Sequence, residues 1–179
     1  MGKICVFIAC SLDGFIAGPK DELDWLPKHG EGIEDTATPF FEGVGAMLMG
    51  RRTFEVVTKL GEPWPYGEKP ILVATSRPLS TEIPSVRSVE GSIEAMVAEA
   101  QAVAGEKDVY LDGGALIRSA LDAGLVDELT VTVVPMILGA GHPLFAGVSK
   151  RHALELEEAR EIGSGLIQLR YRPKSAPSA

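Results

Sequence analysis

Val109-Tyr110-Leu111-Asp112-Gly113-Gly114-Ala115-Leu116-Ile117-Arg118-Ser119-Ala120-Leu121 runs from an apolar strand, through two glycines, into a helix. The short apolar start reads as a buried strand and the later apolar spacing as a helix. Glycines carry no Cβ, so the backbone between the two elements can approach a ligand closely. The helix start behind them offers unpaired N–H groups and the positive end of the helix dipole. Together these make a seat for a phosphate. A phosphorylated ligand is expected to lie across Asp112, Gly113 and Gly114.

The flanking chain alternates strands and helices. Buried strands are predicted over residues 3–10, 46–49, 70–74 and 128–134, and helices over 34–43, 52–59 and 92–104. Ser92 is the expected N-cap of the last helix, with Ile93, Met96, Val97 and Ala100 on one face and Gly105 as its stop. Gly124 stops the helix that begins after Gly114. Leu154 and Leu156 alternate with acids, and Ile167, Leu169 and Tyr171 alternate with Gln168, Arg170 and Arg172. These runs, joined around Gly163-Ser164-Gly165, predict a closing antiparallel hairpin. The fold class is α/β: three layers around a mostly parallel sheet with an antiparallel C-terminal hairpin. One domain is expected over residues 1–172, with 173–179 a disordered tail.

The chain has 179 residues, 45% of them hydrophobic, enough for one sizeable core. Its formal net charge of −8 argues against nucleic acid and anionic membranes as partners. An anionic ligand must then be held by a local donor set. No stretch approaches the roughly 20 apolar residues of a membrane span. The start, Met1-Gly2-Lys3, fits neither a signal peptide nor a myristoylation site, so a cytoplasmic protein is expected. Cys5 and Cys10 on one strand would lie about 16 Å apart. A disulfide needs about 7 Å or less, so both are expected as free thiols.

Several chemistries are missing. No loop ends in Gly-Lys-Ser/Thr, the glycines of 43–50 lack dinucleotide-fingerprint spacing, and there is no Gly-x-Ser-x-Gly elbow. His29, His142 and His152 show no ligand spacing, with or without the cysteines, so no metal is expected and each histidine reads as a loop or surface residue. A cofactor that brings its own chemistry is favoured. Gly50-Arg51-Arg52-Thr53 is a second phosphate-like turn, where helix N–H groups, a hydroxyl and an arginine fork could converge. A helix start with solvated arginines reads equally well from the local residues. Thr75-Ser76-Arg77 follows the next strand. Ends of parallel strands share one sheet edge, where ligands bind.

The ordered set of Ser11-Leu12-Asp13-Gly14-Phe15-Ile16-Ala17, Met49-Gly50-Arg51-Arg52-Thr53-Phe54, Thr75-Ser76-Arg77-Pro78 and Asp112-Gly113-Gly114 resembles the dihydrofolate-reductase-like superfamily. The runs Leu125 to Pro135 and Ile137-Leu138-Gly139-Ala140-Gly141 to Phe145 are most similar to its riboflavin-biosynthesis branch, the RibD C-terminal domain. The resemblance implies an NADPH-dependent reductase acting on a small molecule, and commonly a homodimer. It places Ala9 and Ile16 at the nicotinamide, with Gly14 and Ala17 in the adjoining loop. Gly50, Arg51, Arg52 and Thr53 would meet the pyrophosphate and the adenosine 2′-phosphate. Thr75, Ser76 and Arg77 would line the adenosine side, and Gly113, Gly114, Ala115 and Leu116 the pyrophosphate.

The substrate is less defined. The resemblance leads to a riboflavin-pathway aminouracil reductase. Yet no arginine stands between Glu31 and Gly50 for a substrate phosphate, and the acid that would face a pterin is not clearly in register near Glu34 and Asp35. A dihydrofolate or other pteridine reductase, and a non-catalytic nucleotide-binding dimer, stay open. Asp13, beside the nicotinamide loop, is the candidate catalytic acid, although a turn residue before Gly14 reads as well. Trp25 and Phe41 are candidates to wall an aromatic substrate, or ordinary core residues.

Overall fold

The computed structural model describes residues 1–27, 32–60 and 63–174. The strands are β1 (Ile4–Ser11), β2 (Phe15–Ala17), β3 (Val44–Gly50), β4 (Ile71–Ala74), β5 (Val86–Val89), β6 (Asp108–Asp112), β7 (Glu128–Val134), β8 (His142–Pro143), β9 (Leu154–Glu161) and β10 (Ile167–Pro173). The helices are α1 (Ala37–Gly43), α2 (Arg51–Lys59), α3 (Ile93–Ala104) and α4 (Gly114–Asp122).

The main sheet runs β5-β4-β3-β6-β1-β7-β10-β9. Every pairing from β5 to β7 is parallel, and β10 pairs antiparallel with both β7 and β9. This is the expected three-layer α/β architecture with an antiparallel C-terminal hairpin. Strand β3 shows why the central strands read as unbroken apolar runs. Ala46 and Leu48 pack toward α3 and α4, Met47 and Met49 toward the opposite face, and all four are fully buried. Parallel strands covered on both faces have no solvent side to mark with polar residues. Each such side chain adds about 1.5–3 kcal/mol of burial free energy.

The second face carries α1 and α2. Phe40 and Phe41 of α1 pack with Tyr110, Tyr66 and Phe7, with Phe7 and Phe40 stacked at 4.5 Å. The Asp35 carboxylate accepts from the Ala37 and Thr38 N–H groups at the start of α1, and Pro39 sits in its first turn. Ser92 caps α3 through the Ala95 N–H, and Gly105 ends it with φ +65°.

Three strands lie outside the sequence expectations. Edge strand β5 buries only its end residues, Val86 and Val89, and has no alternation to betray it. Strands β2 and β8 pair antiparallel with each other as a separate two-stranded sheet. Pro173, assigned to the tail, instead closes β10 opposite Leu154. Residues 175–179 of that tail lie outside the described residues, as does His29. Cys5 and Cys10 are free and buried, and burial pushes the Cys5 thiol up to about 12. No described helix is long and apolar enough to cross a membrane.

Candidate active site

A cavity of about 1180 Å³ opens along the C-terminal ends of β1, β3 and β6. Single-ligand pockets occupy about 300–1,000 Å³, so there is space for two ligands side by side. The parallel sheet carries the chain to this edge at Gly50 and at Gly113, and from each a nine-residue helix starts. The two starts meet. A Cβ on Gly113 would lie 2.6 Å from the Thr53 hydroxyl, and Gly113 holds φ +107°, which side chains rarely adopt. A Cβ on Gly114 would lie 2.7 Å from the Pro143 carbonyl oxygen. Gly113 and Gly114 therefore let the start of α4 pack directly against Thr53 and the β8 segment, so that two helix N-termini border one cavity side by side, a setting that suits an anionic phosphate.

Ala9, Ile16, Ala17, Gly50, Arg51, Arg52, Thr53, Gly113, Gly114, Ala115 and Leu116, expected at a cofactor, are brought together in the lining of this cavity. Gly14 supports the wall from behind: its carbonyl accepts the Leu144 N–H at 2.9 Å. The β8 segment is tied from the other side, since Arg118 donates to the carbonyls of Pro143 and Leu144 at 2.7 and 3.2 Å. Thr75, Ser76 and Arg77 lie outside the cavity lining, at the end of β4. They act on Arg51, which donates to the Thr75 hydroxyl and to the Arg77 and Pro78 carbonyls, and pairs with Glu55 at 2.7 Å. That arginine is preset beside the phosphate seat.

Arg52 is differently engaged. Its Nε and Nη2 meet the two oxygens of Asp21 at 2.7 and 3.2 Å. Asp21 projects from a tight turn in which Gly18 and Glu22 bond each other, and it takes φ +66° there. The arginine holds the Asp21 carboxyl below the usual carboxylate range. His142 Nε2 stands 3.3 Å from Asp21 Oδ1, yet its buried ring nitrogen is not aligned for a hydrogen bond. His142, expected as a loop or surface residue, belongs instead to β8 and the cavity wall.

Asp13 is not at the cavity. It accepts from Ser11 Oγ at 2.6 Å and from the Leu138 and Gly139 N–H groups at 3.1 and 2.7 Å. These bonds, the Ser11 hydroxyl foremost, hold its carboxyl below the usual range. It ties two loops together as an ionised group, which corrects its assignment as a catalytic acid. Trp25 also departs from expectation. It packs beside Val134, Ile162 and Leu166, with its indole N–H bonded to the Glu22 carbonyl, and does not line the cavity. Phe41 does line it.

Asp112, at the end of β6, is the cavity-lining carboxyl that burial perturbs most among the described residues. Asp112 is 9% exposed, and burial pushes its carboxyl up to about 6, against the pull of the Tyr110 hydroxyl and the Gly113 N–H. The Tyr110 hydroxyl donates to the Phe7 carbonyl at 3.1 Å. An acid closing an apolar strand was the available signal, but only the packed structure reveals its desolvation.

The profile of the RibD C-terminal domain family matches residues 2–168. The uncharacterized protein YwjB of Bacillus subtilis (strain 168) is 32% identical over 171 residues, covering 94% of this chain and 97% of that protein. Among solved structures, a Shewanella sp. PV-4 protein assigned to riboflavin biosynthesis superposes with a TM-score of 0.86 at 30% identity, covering 97% of this chain and 99% of the other. Dihydrofolate reductase from Enterococcus faecalis, complexed with NADP(H), shares the fold with a TM-score of 0.63 at 18% identity, covering 97% and 98%.

Proposed function

The chain belongs to the RibD C-terminal domain family, and we propose that it is an NADPH-dependent reductase of a small heterocyclic acceptor, similar to the phosphoribosylaminouracil reductase of riboflavin biosynthesis. The observation that carries this is that the starts of α2 and α4 border one cavity side by side, packed together where Gly113 meets Thr53. A nicotinamide dinucleotide fits there because helix-start N–H groups suit its pyrophosphate. When bound, the cofactor supplies hydride.

The chain's own residues then divide the remaining work. The N–H groups at the starts of α2 and α4 take the pyrophosphate, and Arg51, held by Thr75 and Glu55, meets the 2′-phosphate. Ala9, Ile16 and Ala17 wall the nicotinamide and keep water from it. Asp112, whose carboxyl burial raises to about 6, gives a proton to the reduced acceptor and does so best at mildly acidic pH, where it is protonated. Positioning of donor and acceptor can lower a barrier by about 7–11 kcal/mol at the extreme.

The test is NADPH consumption with aminouracil and dihydropterin acceptors. Steady oxidation supports the reductase. Tight NADPH binding with no turnover on either class favours a non-catalytic nucleotide-binding protein. A homodimer is part of the same proposal, with exposed Leu12 and Ile137 on the Asp13-tied loops as its apolar contact. Light scattering on Ile137→Asp, expected to give monomers, checks it.

A further inference from the structure

A second cavity, of about 940 Å³, opens at the end of the sheet opposite the first, where β1 and β7 begin and β10 finishes. Its size falls within the range of single-ligand pockets, about 300–1,000 Å³. Lys3, Lys150, Arg151, Arg172 and Lys174 line it, against the carboxylates of Asp127, Glu128 and Glu157. The lining is therefore cationic on balance, in a chain whose formal net charge is −8.

The carboxylates are already engaged. Glu128 accepts from Lys3 Nζ at 2.9 Å, and Asp127 from the Ile4 N–H at 2.8 Å. Glu157 stands 3.5 Å from Arg170 and 4.0 Å from Arg172. The negative end of α4 also borders the cavity, but its last carbonyls accept the Ala123, Gly124 and Leu125 N–H groups. Lys150, Arg151 and Lys174 are exposed and have no ion pair or side-chain hydrogen bond among the described residues. The other described cations without such a partner, Lys20, Lys59 and Arg77, stand elsewhere, around Asp21, Glu22 and Glu55.

The rim that carries the three free cations is braced. Asp122 accepts the Ser149 N–H at 2.8 Å and pairs with His152 Nε2 at 2.9 Å. The Ala153 carbonyl accepts the Lys174 N–H at 2.8 Å. Residues 149–153 and the end of β10 are thus fixed side by side before any ligand arrives, which lowers the ordering cost of binding. The field of the whole chain repels anions, so one that settles here is held by this local cluster.

We propose that this cavity is a second anion site, for a small ligand carrying a chain of phosphates, and that Lys150, Arg151 and Lys174 bind those phosphates together. Adjacent phosphates bring several negative charges to one rim, whereas a monoanion would leave most of the cluster unmet. This site is independent of the reductase reading.

The test is calorimetric titration of the full chain with sodium tripolyphosphate and with ATP, both free of metal. Saturable binding is expected, weakened about tenfold or more between 0.05 and 0.5 M salt. Tighter binding of ATP identifies a nucleotide, its nucleoside against Leu121 and Val126; equal affinities identify the polyphosphate alone. The variant Lys150→Gln/Arg151→Gln/Lys174→Gln is expected to lose about tenfold or more in affinity. The variant Lys20→Gln/Lys59→Gln/Arg77→Gln removes as much charge elsewhere and is expected to keep the site. Thermal melting reports on the fold of both, and Arg151→Gln alone, expected to lose about threefold or more, carries the test if the first variant unfolds. No saturable binding in the wild type overturns the proposal. So does affinity kept within about twofold in the first variant, or an equal loss in both, the mark of a general charge effect.

Discussion

Asp21 grips Arg52 by both carboxylate oxygens across the mouth of the cavity, at 2.7 and 3.2 Å, and so occupies an arginine that a cofactor phosphate would otherwise use. An exposed ion pair of this kind contributes about 0–1 kcal/mol to stability. Exchanging the carboxylate for a phosphate is therefore nearly free. Asp21→Asn should release Arg52, tighten NADPH binding by about two- to tenfold, and shift folding stability by less than about 1 kcal/mol. Isothermal titration beside chemical denaturation checks both; weaker binding would mean that Asp21 itself contacts the ligand.

Arg51 has the opposite character. Thr75, Glu55 and two carbonyls hold it before any ligand arrives. Preorganised, it should discriminate between cofactors that differ by one phosphate. Arg51→Ala should narrow the affinity gap between NADPH and NADH by about tenfold, mostly by weakening NADPH. Loss of both cofactors to the same degree would place Arg51 at the shared pyrophosphate.

Gly113→Ala meets two obstacles, a positive φ and a Cβ placed 2.6 Å from Thr53 Oγ1. Strain of this kind costs about 1–3 kcal/mol. The new methyl also pushes Thr53 and the start of α2 away from α4, which displaces the N–H groups proposed for the phosphate. Denaturation should show that loss of stability and titration a loss of NADPH binding. The double variant with Thr53→Ser, which keeps the hydroxyl, should recover neither.

Asp112 links stability to activity with opposite signs. Its folded pKa is raised from 3.8 to about 6, so the fold disfavours the ionised form. The folded state then holds a proton that the unfolded state has released, and stability falls as pH rises through about 4 to 6. The two-unit rise corresponds to about 3 kcal/mol as an upper bound. Asp112→Asn should abolish that pH dependence and stabilise the protein above pH 6 by about 1–3 kcal/mol. It should also cut turnover by about a hundredfold or more. Unchanged turnover would remove Asp112 as the proton source.

The fold was legible where hydrophobic period and punctuation agreed. Val109 to Leu121, Ser92 to Gly105 and the parallel strands show this, because covered strands and capped helices leave local marks. It was not legible at β5, an edge strand with two exposed central residues, or at β8, two residues held by a partner distant in sequence. On β10 the alternation was visible but not which residues face inward. Ile167 is 39% exposed and Gln168 is buried, its amide bonded to the Thr36 and Thr132 hydroxyls. Local sequence cannot report what packs on a strand from elsewhere in the chain.

The glycines between β6 and α4 were readable because a close approach of backbone requires them wherever it occurs. The surroundings of the two acids were not. Asp13 and Asp112 are both aspartates beside glycine turns, and their roles separate only in three dimensions. One is saturated by backbone N–H groups, while the other is desolvated against Tyr110.

The most direct measurement is a side-by-side calorimetric titration of the full chain with NADPH and NADH. The expected result is saturable binding of both, with NADPH tighter by about tenfold or more. Equal affinities, or no binding of either, would contradict a seat for NADPH at the starts of α2 and α4.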